Sequence, residues 1–185
     1  MKTYEISAVA ALAAISAVVQ IVHIGYLIPN WGMWIDIVAI PWVLAFFLYR
    51  GKMAFLVSIT GAIIIALFAE SSWLGASMKW LATMPMWMML CMWQMMFKLK
   101  LKDYKKMSVL ISCIIFGTIL RGIIIIPLNY YYAIPIWTGL TTEQAIATIP
   151  WWIIFSVNTI QGILEVLVAW LLVFKFKLQR YATWK

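Results

Sequence analysis

Residues Met107–Ile136 read MSVLISCIIFGTILRGIIIIPLNYYYAIPI, an apolar run whose only charged residue is Arg121. A helix that crosses a membrane needs about 20 consecutive apolar residues, and this run is longer than that. A second run, Trp151–Phe174, has the same character and carries Glu165 as its only charged residue. An ionisable residue inside a membrane helix normally faces the interior of a helix bundle and has a partner there. The two runs therefore predict neighbouring membrane helices.

The composition of the whole chain agrees with a membrane location. Of its 185 residues, 66% are hydrophobic and only 11% are charged, whereas an average soluble domain is about half apolar and about a quarter charged. A soluble domain of this length has too little interior to hide so much apolar surface. The bilayer is therefore the expected solvent for most of the chain.

The hydrophobic segments define the predicted architecture. No repeat, low-complexity tract or interdomain linker interrupts them, so residues 1–185 are predicted to form a single domain. We expect an all-α integral membrane protein, a compact bundle of six transmembrane helices. The second segment is short for a full span, with Asp36 at its start and Pro41 within, and the sequence leaves open whether it is tilted, broken or shielded by its neighbours. The six segments are Ile6–Ile28, Ile35–Tyr49, Met53–Ala69, Trp73–Phe97, Met107–Ile136 and Trp151–Phe174.

The basic residues predict the orientation of this bundle. Six spans place both termini on one side, and the same side receives all but two of the 14 Lys and Arg residues. The opposite loops hold or border Asp36, Glu70 and Glu143. By the positive-inside rule, both termini are cytoplasmic and the protein lies in the cell membrane. This arrangement explains the net charge of +8 without nucleic-acid binding. The residues on the basic side are Lys2, Arg50, Lys52, Lys98, Lys100, Lys102, Lys105, Lys106, Lys175, Lys177, Arg180 and Lys185.

Several chemistries are excluded by the residues that are scarce. Cys91 and Cys113 both lie inside apolar runs, so the sequence predicts no disulfide framework. His23 is the single histidine, which excludes sites that need two, and no metal site is predicted. The sequence has no nucleotide-binding loop, no nucleophile elbow and no paired carboxylates. Any process driven by ATP would need its motor on another chain.

Polar side chains from three predicted helices fall at one membrane depth. Asn129 and Asn158 each lie seven residues from the outer end of a segment, about 10 Å deep, and Lys79 lies at about 9 Å. Gln161 follows one turn below Asn158. We interpret this layer as a binding pocket in which amides serve a neutral ligand with donors and acceptors. The alternative is interhelical hydrogen bonding, which is common between membrane helices. Trp34, in the first outer loop, is a candidate to stack on a flat ligand.

Arg121 and Glu165 fall at nearly the same depth on adjacent antiparallel helices, and we predict that they pair. A structural ion pair that locks the two helices together is the main interpretation, because a lone buried charge is costly. The alternative is that the pair forms the floor beneath a ligand. A proton relay is not favoured, since it normally needs a chain of carboxylates or histidines.

The first segment carries small residues at helical spacing. Ala10 and Ala14 form one pair, and Ala13 and Ala17 form another. Small residues four apart allow a second helix to approach closely. The sequence leaves open whether that helix belongs to this bundle or to a partner protein.

Five stretches resemble the riboflavin-type substrate-binding (S) components of energy-coupling-factor (ECF) vitamin transporters. The alanine-rich first helix is similar to the family's A-x-x-x-A motif, and Ile35–Pro41 is similar to its L-D-F-S-D-I-P run. Gly75–Thr83 resembles G-x-x-M-K-x-L-A-T. Arg121 followed by Asn129-Tyr130 and Pro135 resembles R-x7-N-Y with its later proline, and Asn158–Gly162 resembles N-x-I-K-G.

The resemblance implies a protein without enzymatic activity that captures riboflavin, or its phosphate FMN, from outside the cell. It implies assembly with a transmembrane scaffold subunit and two cytosolic ATPases through the alanine face of the first helix. By motif position, Asn129, Asn158 and Gln161 would contact the isoalloxazine ring. The outer loop Trp31–Asp36, with Trp34 and Asp36, would help to cap the site.

Two departures from the family pattern leave the substrate open. Gln161 stands where the family has lysine, and Val38-Ala39 replaces its Ser-Asp. The loss of a cation beside the ligand would favour a different flavin, or another vitamin or precursor. A membrane-embedded enzyme that modifies lipids is a further alternative, although the carboxylates are scattered and His23 has no evident nucleophile beside it. The third alternative is an assembly subunit without a ligand.

Overall fold

The computed structural model describes residues 3–20, 23–28, 33–68 and 72–184, and within these it leaves the side chains of 23–28, 33–34, 36 and 72 undescribed. Helix α1 spans Thr3–Val19 and is followed by an antiparallel hairpin of strands β1 (His23–Ile28) and β2 (Met33–Asp36). Three helices follow: α2 (Ile40–Tyr49), α3 (Gly51–Phe68) and α4 (Ser72–Met96).

The second half of the chain is built on two long helices. A 3-10 turn at Leu101–Lys105 leads into α5 (Met107–Leu128), which continues through a π-helical turn at Asn129–Ala133 into α6 (Ile134–Thr138). The short helix α7 (Thr142–Thr148) precedes α8 (Trp151–Phe174), and a 3-10 turn lies at Leu178–Tyr181. The long elements are all helical, as predicted, and the hairpin between α1 and α2 is an addition that hydropathy did not show.

Helix α2 forms the core of the bundle. Every residue from Ile40 to Leu48 is buried, and Trp42, Phe46 and Phe47 are fully enclosed. α2 packs against α1, α3, α4 and α8. At about 1.5 Å per residue it is roughly 15 Å long, half the thickness of a hydrocarbon core. It does not reach across a bilayer unaided, and its neighbours shield it on every side.

The predicted end of the first segment and the predicted start of the second differ from the structure. Ile6–Ile28 was expected to be one helix, but α1 ends at Val19 and His23–Ile28 is a strand. The sequence leaves open whether Ile35–Tyr49 is one continuous helix, and in the structure α2 begins only at Ile40, with Pro41 in its first turn. Proline fits the first turn of a helix because it lacks an N–H, and it disfavours a helical residue before it.

The other four segments match helices to within about two residues, and Trp151–Phe174 matches α8 at both ends. Within the described residues, three helical stretches are long and apolar enough to cross a membrane, namely Gly51–Phe68, Met107–Thr138 and Trp151–Phe174. Thr3–Val19 and α2 are shorter apolar helices. The chain is thus a membrane protein by length and composition, whereas the six-span count and the cytoplasmic termini stay predictions.

Aromatic side chains close the end of the bundle where α2 ends. Tyr104, from the turn between α4 and α5, packs edge-on against Phe46 and Phe47, and its hydroxyl donates to the Leu90 carbonyl at 2.6 Å. Trp184 lies against Phe46, and its indole N–H donates to the Phe47 carbonyl at 3.0 Å. These contacts attach the last described residues to α2.

Candidate functional site

Arg121 is the centre of a buried polar cluster between α5 and α8. Its Nη1 donates to Glu165 Oε2 at 3.2 Å, and both side chains are only 1% exposed. Its Nε and Nη2 donate to Asn158 Oδ1 at 3.3 and 3.1 Å. The two residues that the sequence predicts to pair are therefore in contact, and Asn158 completes the arrangement. One guanidinium thus connects two positions two turns apart on α8.

The local sequence makes room for the guanidinium. Gly162 lies on α8 between Asn158 and Glu165, and a Cβ at this position would lie 3.0 Å from Arg121 Nη1 and 3.1 Å from Met86 Sδ. Gly117 on α5 faces the same methionine, with a would-be Cβ 3.2 Å from Met86 Sδ. The two glycines allow α4, α5 and α8 to meet closely around the Arg121 cluster.

Two threonine hydroxyls lie beside this cluster without a hydrogen-bond partner among the described residues. Thr118 lies one turn before Arg121 on α5, and Thr159 follows Asn158 on α8. Both oxygens are buried. Buried polar groups in proteins are nearly always hydrogen-bonded, because an unmet donor costs about 1–3 kcal/mol. The hydroxyls give this region hydrogen-bonding capacity that the described protein atoms do not use.

The asparagines of the predicted layer each retain part of their hydrogen-bonding capacity. Asn129 Nδ2 donates to the Ile125 carbonyl at 2.8 Å, and Asn158 Nδ2 donates to the Ile154 carbonyl at 2.9 Å. An amide nitrogen carries two hydrogens, so one of these carbonyl bonds occupies only one of them. Asn129 is buried and Asn158 is half-buried. Gln161 is also half-buried, one turn after Asn158 on α8.

Lys79 contacts a residue that the sequence did not single out. Its Nζ donates to Gln20 Oε1 at 2.7 Å, which connects α4 to the residue that follows α1. Gln20 is 7% exposed and was not among the predicted site residues. It could have been found as an amide in the otherwise apolar first segment. The contact fixes the point where the chain leaves α1 for the hairpin.

The π-helical turn Asn129–Ala133 is a feature that hydropathy could not show. Tyr130 in this turn donates to the Ile149 carbonyl at 2.6 Å, which ties α5 to the start of α8. The Tyr132 hydroxyl lies 3.5 Å from Ser77 Oγ, and its ring meets Trp73 edge-on. Such turns often occur at functional sites, since the extra residue redirects the side chains around it. In the sequence, this turn coincides with the Asn129-Tyr130 pair of the R-x7-N-Y resemblance.

Trp34 and Asp36 lie on β2, where the structure describes only the backbone. The Cα register pairs Asp36 with His23 and Trp34 with Tyr26 on β1. β2 also packs against α8. The hairpin that carries these two predicted capping residues therefore lies beside the helix that carries Asn158. Trp31 and Glu70 lie outside the described residues.

The alanine face of α1 is only partly available to a partner. Ala10 and Ala14 are exposed and Ala17 is half-buried, but Ala13 is completely buried. Its neighbour one turn on, Ser16, faces Gly61 of α3, whose would-be Cβ lies 3.5 Å from Ser16 Cβ. Ala13 thus packs inside the bundle, and the docking face expected from the sequence is corrected to Ala10 and Ala14 with Ala17 at its edge.

Within the described residues, no group of three or more His, Cys, Asp or Glu side chains is placed to hold a metal ion. Cys113 is buried and Cys91 half-buried, both with free thiols.

Comparison with known proteins supports the assignment of the fold. No family model matches the chain, and no curated protein matches it. A solved structure described as the S component of a bacterial ECF transporter superposes with a TM-score of 0.71 at 20% sequence identity. The match covers 96% of this chain and 97% of the other. The architecture built above is therefore the fold of an ECF transporter S component.

Proposed function

We propose that this protein is the membrane S component of an ECF-type transporter and that it captures riboflavin or a closely related flavin. The observation that carries the proposal is the full-length fold likeness to an S component. The motif resemblance to the riboflavin-type members, described above, indicates riboflavin as the ligand. Assembly with a scaffold subunit and two cytosolic ATPases belongs to the same proposal.

The polar side chains of α5, its π-helical turn and α8 suit such a ligand. An isoalloxazine ring presents carbonyl oxygens, acceptor nitrogens and an N–H. The second amide hydrogens of Asn129 and Asn158 match its acceptors, and the hydroxyls of Thr118 and Thr159 match either kind of group. In this account Arg121 and Glu165 hold α5 and α8 at the spacing the ligand needs. Their charges neutralise each other, which suits a neutral ring.

A second candidate ligand rests on one residue. Gln161 stands where the riboflavin-type pattern has lysine. A lysine offers a positive charge and donors only, whereas glutamine offers both a donor and an acceptor without charge. This exchange favours another uncharged vitamin or precursor over FMN, whose phosphate would gain from a cation.

Asn129→Leu tests the site with the least disturbance of the fold, because the Asn129 amide bonds only to its own helix among the contacts described. We expect it to weaken riboflavin binding at least about tenfold, the effect of roughly one lost hydrogen bond that leaves a buried ligand group unmet. Asn158→Leu should weaken binding as much or more, since it also releases Arg121.

The measurement is a fluorescence titration of each purified variant with riboflavin. Ile115→Leu, on the exposed side of α5, is the matched control and should bind like the wild type. Unchanged affinity in Asn129→Leu and Asn158→Leu, with a wild type that binds, would remove the ligand from this layer. A wild type that binds another vitamin in place of riboflavin would keep the S-component role and change the substrate.

A further inference from the structure

A second polar site lies at the opposite end of the bundle from the outer loops. A cavity of about 270 Å³ opens where the α2–α3 junction, the C-terminal end of α4 and the last described residues meet. Three cations line it: Arg50, Lys98 and Lys100. The substrate proposal uses none of them.

Of the three exposed cations, Arg50 has a ring contact at this cavity. The Arg50 guanidinium lies 5.3 Å from the centre of the Trp184 ring, and that ring is itself buried. Arg50 and Lys98 both adopt left-handed backbone conformations, with φ of 73° and 49°, which turn the chain sharply at the cavity edge. The cavity is therefore formed by defined turns and a buried indole.

The described carboxylates form no ion pair with the cations of this cavity, Arg50, Lys98 and Lys100. The nearby carboxylate of Asp103 accepts a hydrogen bond from the Lys100 backbone N–H at 2.8 Å. Three cations converge on one small cavity, so an anionic group of small size is the chemistry that fits it.

The apolar side of the cavity indicates where the anion comes from. Met95, which lines it, is 63% exposed, and Met96 and Phe97 beside it are 65% and 59% exposed on the outside of the bundle. In a membrane protein such side chains face acyl chains, while basic residues at a helix end attract anionic headgroups. A lipid can contact the cations with its headgroup and the apolar side chains with its acyl chains, whereas a free anion can contact only the cations.

We propose that this cavity binds the phosphate of an anionic phospholipid, with its acyl chains lying along Met95 and the end of α4. Gln94, also in the lining, supplies an amide for the phosphate or for the polar headgroup beyond it. The site does not depend on what the outer half of the bundle binds. Its loss would therefore leave vitamin affinity unchanged.

Native mass spectrometry of the intact protein in detergent micelles tests the site. The micelles contain either dioleoyl phosphatidylglycerol or dioleoyl phosphatidylcholine at equal concentration. We expect the wild type to retain phosphatidylglycerol, and the triple variant Arg50→Gln, Lys98→Gln, Lys100→Gln to lose at least about fivefold of that retention. The matched control, Lys102→Gln, Lys106→Gln, Lys175→Gln, has the same net charge with the cavity intact and should behave like the wild type.

Two further measurements complete the test. The double variant Lys98→Gln, Lys100→Gln keeps the Arg50–Trp184 contact and should show a smaller loss, which guards against misfolding of the triple variant. Inorganic phosphate is then added in place of lipid while thermal unfolding is followed. Phosphatidylglycerol should raise the unfolding midpoint of the wild type and phosphate should not.

Three outcomes would overturn the proposal. Equal loss of phosphatidylglycerol in the matched control would mean diffuse attraction to a basic face. Full retention of the lipid by the triple variant would place it elsewhere. Stabilisation by phosphate equal to that by phosphatidylglycerol would identify a soluble anion as the occupant.

Discussion

Arg121 carries a full positive charge into a region where it is only 1% exposed. The hydrogen bonds that its guanidinium donates to Glu165 and Asn158 offset the loss of water around this charge. Both acceptors lie on α8, so one side chain of α5 binds two positions of that helix. A buried ion pair adds little net stability compared with apolar side chains of the same size, but removal of one partner leaves a costly charge behind. The pair therefore fixes the position of two helices more than it stabilises them.

Arg121→Met should lower the free energy of unfolding by about 3–5 kcal/mol, because Glu165 then keeps a buried charge without its counter-ion. The double variant Arg121→Met, Glu165→Met should recover more than half of that loss. Thermal unfolding in detergent, followed by circular dichroism, gives the comparison. A double variant as unstable as the single one would show that the ion pair is not the source of the effect.

Gly162→Ala should lower stability by about 1–3 kcal/mol, the usual cost of one extra carbon in a tightly packed interior. The new Cβ would lie 3.0 Å from Arg121 Nη1 and 3.1 Å from Met86 Sδ, so one of them has to move. Gly139→Ala is unsuitable as a control because its φ is 72°, whereas Ser156→Ala, at an exposed position of α8, is suitable. Equal melting midpoints for Gly162→Ala and Ser156→Ala would contradict the close packing described.

The residues of the site were partly predictable. The pairing of Arg121 with Glu165 follows from counting residues along two antiparallel helices, because depth and face are regular properties of a helix. The bond from Arg121 to Asn158 does not, since the direction of an amide depends on side-chain rotamers that spacing does not determine. For the same reason the contact between Lys79 and Gln20 was missed.

At the scale of elements, the short helix α2 and the hairpin before it set the shape of the outer half. α2 is buried on all sides, begins with Pro41 and is too short to cross a bilayer alone. Non-helical backbone at membrane depth is tolerated where it is buried in protein or lines a cavity. In the proposed function, the hairpin is the element that would cover the ligand at this side of the bundle.

Hydropathy predicted where most helices lie, because their ends coincide with changes of composition. It failed between Val19 and Ile40, where the described residues form the end of α1, the β1–β2 hairpin and the start of α2. An apolar run does not distinguish a strand from a helix by composition alone. Pro41 was the available signal for a late start of α2, and the sequence offered no comparable signal for the end of α1 at Val19.

The exposed alanines of α1 give a prediction at the same scale. Ala14→Trp should leave riboflavin binding within about twofold of the wild type but impair co-purification with a scaffold subunit, because a bulky ring prevents close helix approach. Ile115→Trp, on an exposed face of α5, is the control of equal bulk and should assemble normally. Normal recovery of the complex with Ala14→Trp would exclude this face as the docking surface.

At the scale of the whole molecule, the two ends of the helix bundle differ in character. One end carries the predicted extracellular loops, the hairpin and the polar cluster below them. The other carries the basic turns and the aromatic contacts of Phe46, Tyr104 and Trp184. In the proposed transporter the first end takes up the vitamin and the second faces the energising subunits. The likeness to an S component over nearly the full length of both chains shows the fold in which these two ends combine.

The most direct test of this account is a riboflavin titration of the ligand-free protein in mild detergent. With 12 tryptophans in the chain, quenching of intrinsic fluorescence reports binding sensitively, and visible absorption reports any flavin that co-purifies. We expect a yellow preparation, or saturable quenching at nanomolar riboflavin that is weakened in Asn129→Leu. A colourless protein whose fluorescence is unchanged by riboflavin and by FMN would contradict flavin capture.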